Sequence, residues 1–195
     1  MKQTEISIGV SILVVMLLRL FITFPYASLL ITMLTLALSM LYFVFGFGLL
    51  NRIRLRHLFN KESYKGISLI RIIGTIGTGF VLSLLSISIL FKYQLWPYGS
   101  ILLLIGLMSI FPIIVVTVFK FISHKNRFHS TLLMRLSIIS MVGLLFFITK
   151  PETLLEMRFR NFPDYIEAEK KAMKDPENLE LQRISNEERL KMESH

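Results

Sequence analysis

Five long apolar segments constrain the fold of this chain more than any other feature of its sequence. They lie at about 6–24, 27–50, 67–91, 99–121 and 131–149. A helix needs about 20 consecutive apolar residues to cross the hydrocarbon layer of a bilayer, where every backbone hydrogen bond must be satisfied internally. The pattern therefore predicts an all-α membrane protein with about five transmembrane helices. Its 53% hydrophobic residues and mean hydropathy of +0.62 fit that class.

The apolar segments and the polar stretches between them divide the chain into six parts. The fifth apolar segment is the shortest and carries Arg135 in its first turn, so a re-entrant or interfacial segment is the alternative there. The first is expected to be a retained helix rather than a signal peptide, because Glu5 offsets Lys2 and no A-x-A site follows. The parts are a first transmembrane hairpin (1–50), a basic cytoplasmic loop (51–66), a second transmembrane hairpin (67–121), a second basic cytoplasmic loop (122–130), a fifth transmembrane helix (131–149), and an interfacial segment with a charged helical tail (150–195).

Lysine and arginine are concentrated between the apolar segments. Residues 1–149 contain 13 Lys/Arg and two acids, whereas residues 150–195 contain nine Lys/Arg and 11 acids. Because short basic loops stay cytoplasmic, we expect a multi-pass protein of the bacterial inner membrane with its N-terminus and basic loops inside. Five crossings then put the tail in the periplasm, and four would return it to the cytoplasm. The net charge of +9 is explained without nucleic acid, which is not expected as a partner.

Two turns between apolar segments share a pattern centred on proline. Aligning Pro25 with Pro97 pairs FITFPYAS with YQLWPYGS, 72 residues downstream. The match predicts two repeated helical hairpins, with chance similarity between apolar sequences as the alternative. Proline ends one helix and suits the first turn of the next, while aromatic rings and a lysine suit the headgroup layer. The interfacial turn motifs therefore comprise Phe24, Pro25, Tyr26, Phe91, Lys92, Trp96, Pro97 and Gly99.

The second of these turns resembles a known family. The stretch FKYQLWPYG at 91–99 resembles the Phe-Lys-x-x-His-Trp-Pro-x-(Gly/Ala) hairpin of GldL, the gliding-motility and type 9 secretion motor protein, and its small membrane relatives. Leu95 replaces the usual His. The resemblance implies a two-helix hairpin with both ends cytoplasmic and a place in an envelope assembly. That family's intramembrane glutamate has no counterpart in the predicted spans, so the resemblance implies architecture rather than proton-driven motion.

No pattern in the sequence indicates a catalytic, cofactor or metal site. His57, His124, His129 and His195 all lie outside the apolar segments and are expected to be solvated loop residues. With no cysteine, thiolate metal sites and disulfides are excluded. We therefore expect neither enzymatic activity nor a bound cofactor.

Arg19 is the most deeply embedded charge and the candidate intramembrane functional residue. It is expected to snorkel toward the outer face, with a substrate or subunit contact as the alternative. Arg71, Lys92 and Arg135, near predicted helix ends, are expected to snorkel as well. The GTIGTG stretch at 74–79 lies in an apolar span, which favours close helix approach over phosphate binding.

The tail is expected to form two short helices with Pro163 and Pro176 in their first turns and Asp175 as an N-cap. It is either a docking arm that becomes ordered on a partner or a partly disordered tail. The favoured function is a structural or accessory subunit of a bacterial envelope assembly. Its expected partners are the lipid bilayer and other membrane-protein subunits, in a homo- or hetero-oligomer. The alternative is a small permease whose hairpins line a path, against which stands the lack of acids in the predicted spans.

Overall fold

All regular structure in the described part of the chain is helical. The computed structural model describes residues 2–22, 26–51, 53, 55–57 and 60–193. Two 3₁₀ turns, Leu55–His57 and Lys61–Tyr64, lie between the second and third helices. The chain divides into two compact units, Met1–Ile148 and Thr149–His195. Within the described residues the α-helices are α1 (Lys2–Phe21), α2 (Ala27–Leu50), α3 (Leu69–Gln94), α4 (Gly99–His124), α5 (Arg127–Ile148), α6 (Pro151–Phe159), α7 (Pro163–Lys174) and α8 (Leu179–Glu193).

Four of the described helices, α2 to α5, are long and apolar enough to cross a membrane. Their mean hydropathies run from 2.0 to 2.9. This composition supports a multi-pass membrane protein and confirms the all-α class for the described residues. The segment predicted to be shortest begins earlier than expected, at Arg127, and has 22 residues as α5. Helix α1 has 20 residues and carries Glu5 and Arg19, and its crossing stays a prediction.

The connection between α4 and α5 is much shorter than the sequence suggested. Helix α4 continues to His124 and α5 begins at Arg127, so two residues replace the loop expected at 122–130. Lys125 adopts a left-handed conformation with φ of 30°, which ends α4. The Asn126 side-chain oxygen then accepts a hydrogen bond from the Phe128 N–H at 3.0 Å and caps α5. Most of the residues predicted to form this loop therefore belong to the end of α4 and the start of α5.

Helix α3 lies at the centre of the first unit. It packs against α2, α4 and α5, while α1 packs against α2. Leu82 and Leu85 of α3 are fully buried and share a core with Leu103 of α4 and Leu136 of α5. The outward faces remain apolar, and Phe111 and Phe119 of α4 are among the most exposed side chains. An apolar exterior around an apolar core is expected of helices that are surrounded by lipid.

Small residues bring α2 and α3 into close contact. A methyl group added to Gly46 would lie 2.8 Å from the Gly79 Cα atom, and one added to Gly79 would lie 2.7 Å from the Tyr42 carbonyl oxygen. At least one helical turn from these glycines, the hydroxyl groups of Ser39 in α2 and Ser83 in α3 form a buried hydrogen bond of 2.7 Å. The close approach expected of GTIGTG therefore applies to Gly79. Gly74 and Gly77 of the same stretch face open space.

The second unit contains α6, α7 and α8. Helix α7 begins at Pro163 as expected, and it packs against α8. Helix α8 begins later than predicted, because Asn178 accepts hydrogen bonds from the N–H groups of Glu180 and Leu181, at 3.1 and 3.3 Å. Asn178 is thus the N-cap, and Pro176 lies in the turn before it. The buried apolar side chains of α6 and α7 are Leu154, Leu155, Tyr165, Ala168 and Ala172.

Candidate functional site

A buried ion pair joins the first and last long helices of the first unit. The Glu5 carboxylate in α1 accepts hydrogen bonds from the Arg135 guanidinium in α5 at 2.7 Å and from the Tyr42 hydroxyl in α2 at 2.8 Å. The exposed fraction is 8% for the Glu5 side chain and 14% for that of Arg135. Each carboxylate oxygen has one donor, so the charge is both neutralised and hydrogen-bonded. That is the condition under which a buried charge is tolerated.

Arg135 and Tyr42 of this ion-pair cluster lie well inside their helices, whereas Glu5 lies in the first turn of α1. Arg135 is eight residues into α5 and Tyr42 eight residues from the end of α2, which places both backbones about 12 Å from a helix terminus at about 1.5 Å per residue. Sequence analysis placed Glu5 before the first apolar segment and expected Arg135 to snorkel. Glu5 does precede that segment, but Arg135 does not snorkel, because its guanidinium pairs with Glu5 across 130 residues of chain.

The last turn of α3 makes polar or aromatic contacts with four other helices. Lys92 is 5% exposed, and its ammonium donates to the Ser100 hydroxyl of α4 at 2.8 Å. Tyr93 interacts with Arg19 of α1 and stacks edge-on against the Phe146 ring of α5. Gln94 donates to the Ser28 carbonyl and the Thr32 hydroxyl of α2, at 3.1 and 3.2 Å. We call residues 92–94 the α3 hub. Lys92 was expected to extend toward the headgroups, but its ammonium instead binds within the protein.

A third polar cluster lies at the opposite end of α3. The Arg71 Nε group donates to the Asn51 side-chain oxygen at 2.9 Å, and Asn51 donates to the Thr75 hydroxyl at 3.0 Å. The Arg71 guanidinium lies 3.8 Å from the centroid of the Phe128 ring in α5, a cation–π contact. Arg71 thus joins the end of α2, the start of α3 and the start of α5. Its expected snorkelling is replaced by contacts within the protein.

The second Pro turn brings most of its predicted motif together. The Phe91 and Trp96 rings contact edge to face with centroids 4.8 Å apart. The backbone N–H of Trp96 donates a hydrogen bond to the backbone carbonyl of Phe91. A methyl group on Gly99 would lie 2.8 Å from that same carbonyl oxygen, so only glycine fits. Pro97, which lies between Trp96 and Gly99 in the sequence, is exposed. Leu95 ends α3 with φ of 59°, a conformation in which His is enriched and Leu is uncommon.

The two Pro turns share one unusual backbone geometry. Tyr26 precedes α2 with φ of 65°, and Tyr98 precedes α4 with φ of 61°, both in the left-handed region. In each turn the tyrosine carbonyl accepts a 2.9 Å hydrogen bond from the backbone N–H of the residue four positions later. That residue is Leu30 for Tyr26 and Leu102 for Tyr98. Both rings are about three-quarters exposed, at 78% and 76%. Phe24 and Pro25, the remaining members of the predicted motif, lie outside the described residues.

Of the predicted site residues, Lys92 and Arg19 contact side chains of other helices. Arg19, the candidate functional charge, is half-buried beside Tyr93. Within the described ranges, no group of three or more His, Cys, Asp or Glu residues is arranged to hold a metal ion. Sequence reasoning missed Glu5, Tyr42 and Asn51, for which the only available signal was an isolated polar residue in or beside an apolar segment. Chemically, the three clusters supply paired charges and directed hydrogen bonds that fix helix positions.

The comparisons with known proteins found no relative from which a role can be transferred. No family model, no curated protein and no solved structure matches the chain.

Proposed function

We propose that this protein is a structural or accessory subunit of a bacterial envelope assembly, held in the inner membrane. The observation that carries the proposal is that the charged side chains inside the first unit contact other helices of that unit. Glu5, Arg135, Arg71 and Lys92 each bind a group on another helix of the first unit. A transport path needs polar groups that face a passage and exchange partners with a substrate. Groups that instead hold helices together suit a rigid membrane scaffold.

The membrane arrangement in this proposal has five spans, with the N-terminus and basic loops cytoplasmic and the tail periplasmic. Helices α2 to α5 supply four spans by length and composition, and α1 the fifth. The proposal also includes descent of the two hairpins from one repeated unit. The matching left-handed Tyr26 and Tyr98, each followed by the same hydrogen bond, support the repeat because a non-glycine residue seldom adopts that conformation.

The proposal includes a relation to GldL-type machinery that concerns the architecture of the helical hairpin. It rests on Phe91, Lys92, Trp96, Pro97 and Gly99, which together form one compact turn. Glu5, in the first turn of α1, is a buried carboxylate, but Arg135 of the same chain neutralises it. The proposed role is therefore assembly with other membrane subunits rather than ion-driven work.

The test is co-purification from native membranes with and without the α7–α8 region. The tail carries most of the acids of the chain, interleaved with lysine and arginine, and such surfaces form specific charge contacts. Deleting residues 163–195 should leave the helices of the first unit inserted and remove the partners identified by mass spectrometry. A matched control replaces 163–195 by a Gly/Ser linker of equal length. A truncated chain that retains every partner contradicts the proposal, as does a tail that protease cannot reach in intact spheroplasts.

A small permease is the second candidate, and one observation favours it. Ionisable residues inside a membrane often mark a substrate or proton pathway, and Glu5, Tyr42 and Arg135 form such a group. The purified chain in liposomes under a pH gradient separates the two functions. We expect proton flux equal to that of empty vesicles. A robust flux that Glu5→Gln or Arg19→Ala abolishes would establish the permease instead.

A further inference from the structure

Four helix ends of the first unit meet at one side of the bundle. The Asn51–Arg71 hydrogen bond of 2.9 Å joins the end of α2 to the start of α3. The Arg71 guanidinium lies 3.8 Å from the Phe128 ring centroid, which adds the start of α5. Only Lys125 and Asn126 separate α5 from α4, so the end of α4 lies there too. Side chains of the two connecting segments therefore share one surface.

That surface carries exposed cations and little opposing charge. We call it the basic end and define it by five exposed residues, Arg56, Lys65, Lys120, Lys125 and Arg127. Among the described residues of the connecting segments, Glu62 is the one acid, and it lies 4.0 Å from Lys65. Lys120, Lys125 and Arg127 occupy eight consecutive positions without a carboxylate. Three positive charges so close together repel one another unless an anion neutralises them.

The depth of these cations points to the class of anion. Phe119 and Ile122 flank Lys120 in the last turns of α4 and are 71% and 69% exposed. At the start of α3, Leu69 and Ile70 are 70% and 74% exposed. On apolar helices of membrane-spanning length, large side chains this exposed suit contact with lipid, which favours headgroup level for the cations beside them. A polynucleotide or an acidic protein in water would leave the apolar neighbours uncovered.

We propose that the basic end binds the headgroups of anionic phospholipids in the surrounding leaflet. The acyl chains cover Phe119, Ile122, Leu69 and Ile70, while the phosphates neutralise Lys120, Lys125 and Arg127. Each lysine or arginine near an anionic membrane surface strengthens binding about fivefold, so removing two weakens it roughly 25-fold. The contact is electrostatic and weakens as salt is added. This inference is independent of the proposed function, since a subunit or a permease could use it.

The experiment titrates phosphatidylglycerol against phosphatidylcholine on the full chain in neutral detergent and counts bound lipids by native mass spectrometry. We expect a clear preference for phosphatidylglycerol. The variant Lys125→Gln/Arg127→Gln should bind it roughly 25-fold more weakly. The matched control, Lys171→Gln/Lys174→Gln, removes the same charge from α7 and should bind like the parent. Arg56→Gln/Lys65→Gln provides a second test pair should the first variant fail to fold.

Three results would overturn the proposal. One is equal binding of the two lipids by the parent chain. Another is an equal loss in the α7 control. The third is binding of free glycerol phosphate as tight as that of phosphatidylglycerol, which would indicate a soluble phosphate site rather than a lipid contact. A phosphatidylglycerol preference that disappears at high salt and in the Lys125/Arg127 variant supports it.

Discussion

At the scale of single residues, Glu5 and Arg135 contribute to stability mainly through the cost of separating them. Two charges removed from water lose hydration that their attraction only partly restores, so an intact buried pair adds little net stability. A buried charge whose partner has been deleted has no such compensation. The pair therefore acts as a constraint on which helices meet and in which register.

Single substitutions at this pair should destabilise the protein more than the double substitution. We expect Glu5→Leu or Arg135→Leu to lower the free energy of unfolding by about 3–5 kcal/mol, because the remaining charge is buried alone. The double variant Glu5→Leu/Arg135→Leu should recover most of that loss. Denaturant titration in detergent, followed by circular dichroism, measures all three.

The control for this prediction is Arg127→Ala, which removes an exposed arginine from the same helix and should change stability little. Tyr42→Phe removes one hydrogen bond to the carboxylate and should cost about 1.5–3 kcal/mol. If the double variant loses as much as the sum of the two single variants, then Glu5 and Arg135 are not coupled.

At the scale of helices, the crossing of α2 and α3 depends on two glycines that face each other. Gly79→Ala should lower the free energy of unfolding by about 1–3 kcal/mol, because its methyl group would lie 2.7 Å from the Tyr42 carbonyl oxygen. Gly77→Ala, two residues away on an open face, should be neutral or slightly stabilising. The same titration compares the two, and equal effects would show that the close approach is absent.

The helices of the tail should lose protection as the pH falls. Hydrogen bonding from Lys171 and its positive charge lower the pKa of Glu167, and Arg183 lowers the pKa of Glu180 in the same way. A carboxylate with a lowered pKa stabilises the folded state above its unfolded pKa, about 4.3, and this contribution is lost as pH falls through the folded value.

Amide hydrogen exchange on the intact protein measures this effect. Protection of residues 179–193, corrected for intrinsic rates, should be constant from neutral pH to about pH 5 and decrease below about pH 4.3. The decrease should be small, because both pairs are exposed and salt screens them. Glu180→Gln should reduce the pH dependence in α8, and an unchanged profile would show that its pair with Arg183 does not form.

The same scale shows how far the sequence alone can go. Hydropathy located α2 and α3 well. In the hydrocarbon layer of a bilayer every backbone hydrogen bond must be formed within the protein, and long apolar helices are one of few structures that do this. Hydropathy misplaced the start of α5, because three of the four residues at 127–130 are polar yet all four are helical. In the tail, proline signals placed α7 correctly and α8 too early, since an asparagine cap determined where α8 starts.

At the scale of the whole molecule, orientation in the membrane is the property to test first. The chain has no cysteine, so single cysteines report on their own positions. Lys65→Cys and Tyr98→Cys place them at exposed sites on opposite ends of α3. An impermeant thiol reagent added to intact cells should label Tyr98→Cys and spare Lys65→Cys until the membrane is opened. Labelling of Lys65→Cys in intact cells contradicts the proposed orientation.

The polar clusters belong to this scale, which is why sequence patterns did not reveal them. Nothing near Glu5 indicates that its partner lies in α5, and nothing near Lys92 indicates that its ammonium points to Ser100 rather than to the headgroups. Snorkelling was the better expectation for an isolated helix. Packing of several helices supplied a partner closer than the membrane surface.

The separation of Glu5 from Arg135 also sets an order of events during synthesis. A ribosome adds roughly 5–20 residues each second, so Glu5 emerges about 7–26 s before the arginine that neutralises it. During that interval α1 carries an unpaired carboxylate, which disfavours its settling among lipid chains. Because α1 is made before α5, we expect α1 to reach its final packing in the first unit only after α5 has been translated.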